Sequence, residues 1–284
     1  MRNPFLIQAL PAQRPPDEPG WRTWLFLGGR GAGKTRAGAE WLRYALLYGG
    51  YKRAALIGPT LGDVREVMIE GPSGLKAITP PYEAAPIYEV SRRRLVWPNG
   101  AKAYAFSAED PDSLRGPQFD VAWCDELAAW AKGNTVWDML QMGLRLGDAP
   151  CAMVTTTPRP IALLKNLLAA PSTTITRAGT ADNAANLAPD FLTAMQEAYG
   201  ETRLARQELY GELIEDHAGA LWSRSQIEAV TVNTAPHMDN IVVANDPPIS
   251  KTHRSDACGI VAVGIPPLGP DDPPGRRRAY VLAD

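Results

Sequence analysis

One stretch decides the fold: residues 23–41 read TWLFLGGRGAGKTRAGAEW. Its first seven residues form an apolar run that ends in glycine, which predicts a buried strand. From residue 35 to 50 the apolar residues recur with helical spacing, and Gly49-Gly50 ends the predicted helix. Between the two, residues 28–35 satisfy the pattern G-x-x-x-x-G-K-[ST] in full. A strand, a glycine-rich loop and a helix in this order predict a phosphate-binding loop.

The residue types of this loop indicate its chemistry. Glycines allow backbone N–H groups to curl around phosphate oxygens, and the helix N-terminus adds partial positive charge. Lys34 is expected to reach the β- and γ-phosphates of a nucleotide, and Thr35 to ligate Mg²⁺. The alternative is a chance glycine-rich turn. The predicted nucleotide-binding residues of the loop are Gly28, Gly29, Arg30, Gly31, Ala32, Gly33, Lys34 and Thr35, with Arg30 either touching phosphate or facing solvent.

A second apolar strand delivers two adjacent acids. Residues 119–126 read FDVAWCDE, so the predicted strand ends in Asp125 and Glu126. Beside a phosphate loop, Asp125 would support the Mg²⁺ shell and Glu126 would polarise the attacking water. GTPases use other groups for that water, so the pair indicates ATP hydrolysis. On its own, an Asp-Glu pair is more often a helix cap.

Three further features have a functional and a plain structural explanation. The hydroxyls of Thr155, Thr156 and Thr157 could sense the γ-phosphate across the sheet, or could reflect β-propensity. Arg115 could be an arginine finger for a neighbouring subunit's phosphate, or an ordinary loop residue. The three arginines at 92–94 could touch a DNA backbone, but such a run is more often a solvated surface.

Strands alternate with helices in most of the chain, which favours an α/β fold with a parallel sheet covered on both faces. A hairpin is predicted within residues 94–108, with Asn99-Gly100 as its turn. The other predicted elements are strands at 54–58, 151–157 and 173–179, a helix at 161–168 and two helices within 190–214.

We expect a P-loop domain with an extended N-terminal lead-in at 1–215, a linker at 216–239 and a β-rich module at 240–284. Strands are predicted at the start of this module, at 256–264 and from 279 onwards. About 45 residues make a small core. The sequence therefore predicts the start of a domain whose remainder is absent.

The composition argues against several classes of protein. The 284 residues are 45% hydrophobic and 21% charged with a net charge of -2, which indicates a globular protein without a global basic field. The three cysteines include no CxxC pair and the histidines show no HExxH spacing, which disfavours disulfide scaffolds and zinc sites. Apolar runs are too short for a membrane span or a signal peptide, so we expect a cytoplasmic location and no membrane partner.

Taken together, the motifs resemble those of the large terminase subunits of tailed phages and gene transfer agents. GGRGAGKTRAGAEW resembles the Walker A loop of that family, LRGPQFDVAWCDE its Walker B segment, and TTTPRP its coupling motif, over about residues 20–215. The resemblance implies an ASCE-type P-loop NTPase with a helix-flanked parallel sheet, followed by an RNase H-like nuclease domain. It also implies an ATP-driven motor that pumps double-stranded DNA into a prohead.

The resemblance further implies roles for single residues. The nucleotide and Mg²⁺, water-activating and coupling roles fall on Lys34 with Thr35 and Asp125, on Glu126, and on Thr156 with Thr157. Arg115 matches a trans-acting arginine of some family members. The adenine-site glutamine of the family has one loose match, Gln13, for which a solvent-exposed linker residue is an equal alternative. The implied cofactors are ATP and Mg²⁺, and the implied partners are DNA, the portal protein, the small terminase subunit and further copies of the chain in a ring.

The nuclease half is expected to be incomplete. Asp246 matches the first metal carboxylate of the family's nuclease, and Asp256 and Asp284 could be accessory acids. Two-metal phosphodiester cleavage needs several closely placed acids, and the chain ends before the family's later ones. We therefore expect doubtful nuclease activity, and Asp246 has the alternative of a simple strand-ending turn.

Two other functions stay open at the level of sequence. A helicase-like translocase would need a second lobe with its own phosphate-contacting arginine, and little chain follows residue 215. A non-catalytic remnant of a defective prophage would bind partners without turning over ATP. The intact Lys34, Asp125 and Glu126 argue against this remnant, whereas the incomplete nuclease half argues for it.

Overall fold

The computed structural model describes residues 5–17, 19–200, 202–214, 222, 224–246, 259–267 and 278–283. The chain divides into two compact units, Met1–Glu215 and Asp216–Asp284. Within the described ranges, no helix has both the length and the apolar character needed to cross a membrane.

The first unit is built on an eight-stranded sheet with a parallel core. Its strands are β1 Thr23–Gly28, β2 Arg53–Gly58, β3 Ile87–Glu89, β4 Arg94–Val96, β5 Lys102–Ser107, β6 Val121–Asp125, β7 Cys151–Thr156 and β8 Thr173–Ala178. Their order in space is β3-β4-β5-β2-β6-β7-β1-β8. From β5 to β8 in this order the neighbours pair in parallel, as predicted. The edge is different, because β3, β4 and β5 pair antiparallel and make the sheet mixed.

Helices cover both faces of the parallel core, which confirms that prediction. The α-helices in the described ranges are α1 Phe5–Gln8, α2 Lys34–Leu47, α3 Leu61–Asp63, α4 Gly133–Gly143, α5 Ala162–Ala169, α6 Phe191–Tyr199, α7 Arg203–Glu208 and α8 Arg224–Val230. Leu25 and Leu27 of β1 pack with residues of α4 and α5, whereas Trp24 and Phe26 pack on the opposite face with residues of α2. Because each central strand buries both sides, its sequence is an unbroken apolar run.

Helix α2 lies unusually close to the sheet. Gly38 faces Trp123 of β6, and a Cβ atom at Gly38 would stand 2.3 Å from the indole ring. The glycine therefore permits a helix-to-sheet distance that no larger side chain allows. This close packing places the N-terminus of α2, with its loop, against the carboxyl ends of the central strands.

Two segments without an assignment from the sequence prove to be helical. One is α4, and the other is a π-helical turn at Val64–Ile69 that follows β2. A π-turn has i→i+5 bonds and no distinctive sequence signature, so its absence from the prediction has a physical reason.

The second unit contains a three-stranded antiparallel sheet in the order β11-β10-β9. Its strands are β9 Asn240–Asp246, β10 Gly259–Ile265 and β11 Tyr280–Ala283. Strands were predicted at these three places. Helix α8 lies in the segment 216–239 that was predicted to be a linker. The assignment of this unit to a nuclease domain stays a prediction.

Candidate nucleotide site

The glycine-rich loop joins β1 to α2 at the carboxyl edge of the sheet. Gly31 and Gly33 adopt positive φ angles of 78° and 81°. A Cβ atom at Gly33 would also stand 2.3 Å from the side-chain nitrogen of Gln13. Both the backbone conformation and the space at Gly33 therefore require glycine.

Lys34 is the first residue of α2 and its side chain folds over the loop. Its Nζ donates hydrogen bonds to the carbonyl oxygens of Gly28 and Gly29, both at 2.9 Å, and to Oγ1 of Thr157 at 3.2 Å. All three ammonium hydrogens are thereby directed. Burial lowers the pKa of Lys34, and the nearby carboxylates of Glu126 and Asp125 act in the opposite direction.

Glu126 follows β6 in a left-handed backbone conformation, with φ 48°. This conformation is costly for a residue with a side chain and is found mostly where the surrounding structure imposes it. The carboxylate lies 3.9 Å from Nζ of Lys34 and accepts a hydrogen bond from the Thr157 N–H at 3.3 Å. The unusual turn thus directs Glu126 to the lysine of the phosphate loop.

Asp125, the last residue of β6, is buried behind the site and only 4% exposed. Oγ1 of Thr155 donates a hydrogen bond of 2.5 Å to its Oδ1. Burial, followed by the charge of Glu126, raises the pKa of Asp125 to about 7, while the Thr155 hydrogen bond and Lys34 act to lower it. The two adjacent acids therefore differ in environment, since the Glu126 side chain is 40% exposed.

A cleft of about 810 Å³ opens in front of these groups. Of the residues predicted to bind nucleotide or act on it, those that line the cleft are Arg30, Gly31, Gly33, Lys34, Thr35, Glu126 and Thr157. Gly28, Gly29, Ala32 and Asp125 lie behind this lining, in the strand ends or beneath the loop.

Thr156 does not face the cleft, contrary to the expectation for its hydroxyl. Its Oγ1 accepts a hydrogen bond from the Ala128 N–H at 3.0 Å and donates one to the Thr157 carbonyl at 3.1 Å. Side chains alternate along a strand, so Thr155 and Thr157 share one side and Thr156 takes the other. Thr156 therefore joins the end of β7 to the turn after Glu126.

Arg115 also lies outside the cleft of its own chain. Its side chain is 67% exposed, and its Nε pairs with Asp112 at 2.7 Å. Of the arginine run, Arg92 and Arg94 both pair with Glu89, at 3.8 Å and 2.6 Å. These arginines are thus directed to neighbouring acids on the surface rather than to the cleft.

Several cleft residues were not identified from the sequence. Asn183, Glu208 and Arg159 line the cleft, and Gln13 does so as a buried residue with 6% exposure. The burial of Gln13 rules out the alternative of a solvent-exposed linker glutamine. Asn183 and Glu208 lie far from the loop along the chain and form no recognised motif, so no spacing rule could have found them.

A magnesium ion would find oxygen ligands here. Mg²⁺ is bound in nucleotide sites by one or two protein oxygens together with phosphates and water. The Thr35 hydroxyl in the cleft and the acids at 125–126 suit that role. Among the described residues no group of three or more His, Cys, Asp or Glu side chains could hold a metal without such a nucleotide.

The predicted nuclease acids are placed less fully. Asp246 is the last residue of β9 and is opposite Gly259 of β10 in the antiparallel register. Asp256 and Asp284 lie outside the described residues.

The chain matches one protein family over residues 25–229, and that family is described as "Terminase large subunit, T4likevirus-type, N-terminal". Among curated proteins, no relative matches at a significant level.

Solved structures of terminases share the fold. The ATPase domain of the large terminase of Thermus phage P74-26 aligns with a TM-score of 0.51 and 16% identity, over 68% of this chain and 88% of that one. A full-length large terminase from a thermophilic bacteriophage, solved in complex with ADP, has a TM-score of 0.58 and 15% identity over 87% of this chain and 61% of that one. For the HK97 bacteriophage large terminase the values are 0.54, 16%, 99% and 63%.

The lengths of these relatives differ from that of this chain. The chain spans less than two thirds of the thermophilic-phage terminase and of the HK97 protein. The thermophilic-phage protein has also been solved in complex with ATP-gamma-S.

Proposed function

Because this chain belongs to the large terminase subunit family, we propose that its first unit is an ATP-hydrolysing motor domain that drives double-stranded DNA into a prohead. One observation carries the proposal: Lys34, Glu126 and Thr157 meet at a single cleft beside a phosphate-binding loop. A cation for the phosphates and a carboxylate for water are the two groups that phosphoryl transfer to water requires.

The chemistry assigned to these residues is hydrolysis of the terminal phosphoanhydride. Glu126 orients a water molecule and accepts its proton as the water oxygen bonds to the γ-phosphorus and the bond to the bridging oxygen breaks. Lys34 turns from the loop carbonyls to the phosphate oxygens and offsets the charge that develops on them. Thr157 touches both groups, so it is suited to report the state of the nucleotide to β7.

Mg²⁺ accompanies the nucleotide in this proposal. When bound, the ion neutralises phosphate charge and fixes the geometry of the oxygens. Thr35 would provide a direct hydroxyl ligand, and Asp125, behind the loop, would hold the ion or its water shell. The hydrogen bond from Thr155 keeps the Asp125 carboxyl in place for that role.

The wider machine is proposed from family membership. A ring of copies on a portal, with the small terminase subunit and double-stranded DNA, would allow Arg115 to reach the nucleotide of a neighbouring copy. Its exposed position away from its own cleft supports action in trans.

The test is ATP hydrolysis by the purified 284-residue chain with Mg²⁺, with and without linear double-stranded DNA. Lys34→Ala is the inactivating variant, and Lys52→Ala, at an exposed lysine outside the cleft, is its control. We expect hydrolysis that DNA stimulates, that Lys34→Ala abolishes and that Lys52→Ala retains. Hydrolysis that survives in Lys34→Ala would reject the site. A chain that binds ADP but hydrolyses nothing, with or without DNA, would favour the non-catalytic remnant.

A further inference from the structure

Three consecutive carbonyl groups of the phosphate loop each accept a hydrogen bond from a side chain outside the loop. Thr180 Oγ1 donates to the Arg30 carbonyl at 2.7 Å, and Asn183 Nδ2 donates to the Gly31 carbonyl at 2.7 Å. Gln13 Nε2 donates to the Ala32 carbonyl at 3.1 Å. We call Gln13, Thr180 and Asn183 the loop collar.

The donors of the loop collar are fixed by their other contacts. Oε1 of Gln13 accepts the Leu10 N–H at 3.1 Å, so its amide nitrogen must face the loop. Oγ1 of Thr180 has one proton and lies near two carbonyls, those of Arg30 at 2.7 Å and Leu209 at 2.9 Å. Because the Leu209 carbonyl already accepts the Thr180 N–H at 2.7 Å, the hydroxyl proton is best used by Arg30.

Asn183 completes the collar in the same way. Its Oδ1 accepts a hydrogen bond from Nδ2 of Asn186 at 2.8 Å, which leaves its own nitrogen for the Gly31 carbonyl. All three collar side chains are buried, with 1% to 7% exposure. In a buried place each donor needs its acceptor, so these bonds resist being exchanged for water.

The direction of these carbonyls matters for phosphate binding. A glycine-rich loop can rotate its peptide planes easily, because glycine accepts both signs of φ. A carbonyl that turned into the cleft would bring its negative end to the phosphate, whereas the free N–H groups at the start of α2 attract it. Donors on the outer side of the loop oppose that rotation.

We propose that the loop collar consists of positioning residues that hold the phosphate loop in its binding conformation, and that Gln13 acts on the loop rather than on the base. This inference rests on the proposed function, since it assumes a nucleotide in the cleft. The three collar residues come from the N-terminal segment and from the segment after β8, so the loop is held from two sides.

Thr180 offers a matched pair of variants. Thr180→Val keeps the shape but removes the hydroxyl, and Thr180→Ser keeps the hydroxyl. We expect Thr180→Val to weaken ADP binding about tenfold and to raise KM for ATP more than it lowers kcat, with Thr180→Ser within about twofold of the parent chain. Thermal melting of each variant shows whether it is folded. Equal ADP affinities for folded Thr180→Val and Thr180→Ser would overturn the inference.

Gln13 gives a second, independent measurement, which also serves if Thr180→Val does not fold. Pyrophosphate has no base, so its competition with a fluorescent ADP separates contact with the loop from contact with adenine. We expect Gln13→Ala to weaken ADP and pyrophosphate by the same factor. Weakened ADP binding with unchanged pyrophosphate binding would assign Gln13 to the base and overturn its place in the collar.

The proposed function and this inference fail in different ways. A parent chain that binds neither ADP nor pyrophosphate rejects both the function and the collar. A parent chain that binds ADP in a Lys34-dependent manner, with collar variants that bind equally well, rejects the collar alone.

Discussion

The two sheets of the molecule have similar apolar strands in very different surroundings. AALIG in β2 and NIVVA in β9 look alike as sequences. In β2 the residues 54–57 are 0% exposed, whereas Ile241, Val242 and Val243 of β9 are 60% to 64% exposed. Helices cover both faces of the first sheet, and the exposed fractions in β9 include neighbours that point to opposite faces. An apolar run therefore predicts a strand, but the coverage of that strand depends on which helices the rest of the chain supplies.

The largest expected effect concerns acids at strand ends in the two units. Glu126→Gln should lower ATP hydrolysis at least about 100-fold while nucleotide binding is kept, because the amide cannot accept the proton of water. Asp246→Asn, the matched change at the end of β9, should leave hydrolysis unaltered. Steady-state hydrolysis and ADP titration measure both. Unchanged turnover in Glu126→Gln would remove its assignment as the base.

Glycines in the two sheets test packing. Gly38→Ala would drive its Cβ atom to 2.3 Å from the Trp123 indole, whose buried position leaves it little room to move. We expect the free energy of unfolding to fall by about 2 to 3 kcal/mol in urea denaturation, in excess of the gain in helix propensity.

Gly264→Ala in β10 is the corresponding change in the second unit. Its Cβ atom would stand 2.7 Å from the side chain of Met238, a flexible group that can turn away. The expected loss is below about 1 kcal/mol. A Gly38→Ala chain as stable as the parent would mean that α2 can move away from the sheet.

Valines in the two sheets separate buried from exposed strands. Val154 in β7 is 0% exposed and Val243 in β9 is 64% exposed. Val154→Ala should lower stability by about 1 to 2 kcal/mol, whereas Val243→Ala should change it by less than about 0.5 kcal/mol. Amide hydrogen exchange, measured for each sheet in each variant, gives the two values separately. A large loss from Val243→Ala would show that β9 is covered in solution.

The sequence alone was sufficient for the parts of the site that follow local rules. The loop at 28–35 and the acids at 125–126 have fixed spacings next to an apolar strand, and the structure brings Lys34 and Glu126 to within 3.9 Å. The side taken by Thr156 could also have been found, because strand alternation separates it from Thr157.

Other parts of the site had no local signal. Asn183 reaches the loop across a sequence separation of 152 residues and bonds to a backbone carbonyl, which any residue could offer. The left-handed turn at Glu126 is imposed by its surroundings, since nothing in a glutamate favours it. Segment α4 begins with glycine and asparagine, which are weak helix formers, so its helix depends on packing against the sheet.

The smallest expected effect concerns the buried acid of the first unit. The pKa of Asp125 is raised to about 7 from an ordinary value of 3.8, because burial and Glu126 disfavour its charged form. Its contribution to stability is therefore fully present below pH 3.8 and is lost as the pH rises to about 7. Asp125→Asn, which stays neutral, should gain stability over the parent chain across this interval, by up to about 1.4 kcal/mol per pH unit, with no further gain above it.

Urea denaturation between pH 5 and 8 in the presence of EDTA measures this difference, and Asp138→Asn at an exposed carboxyl is the control. A difference that does not grow from pH 5 to pH 7 would mean that Asp125 is already ionised in the folded chain. The burial that separates the first sheet from the second would then not be enough to hold this carboxyl in its neutral form.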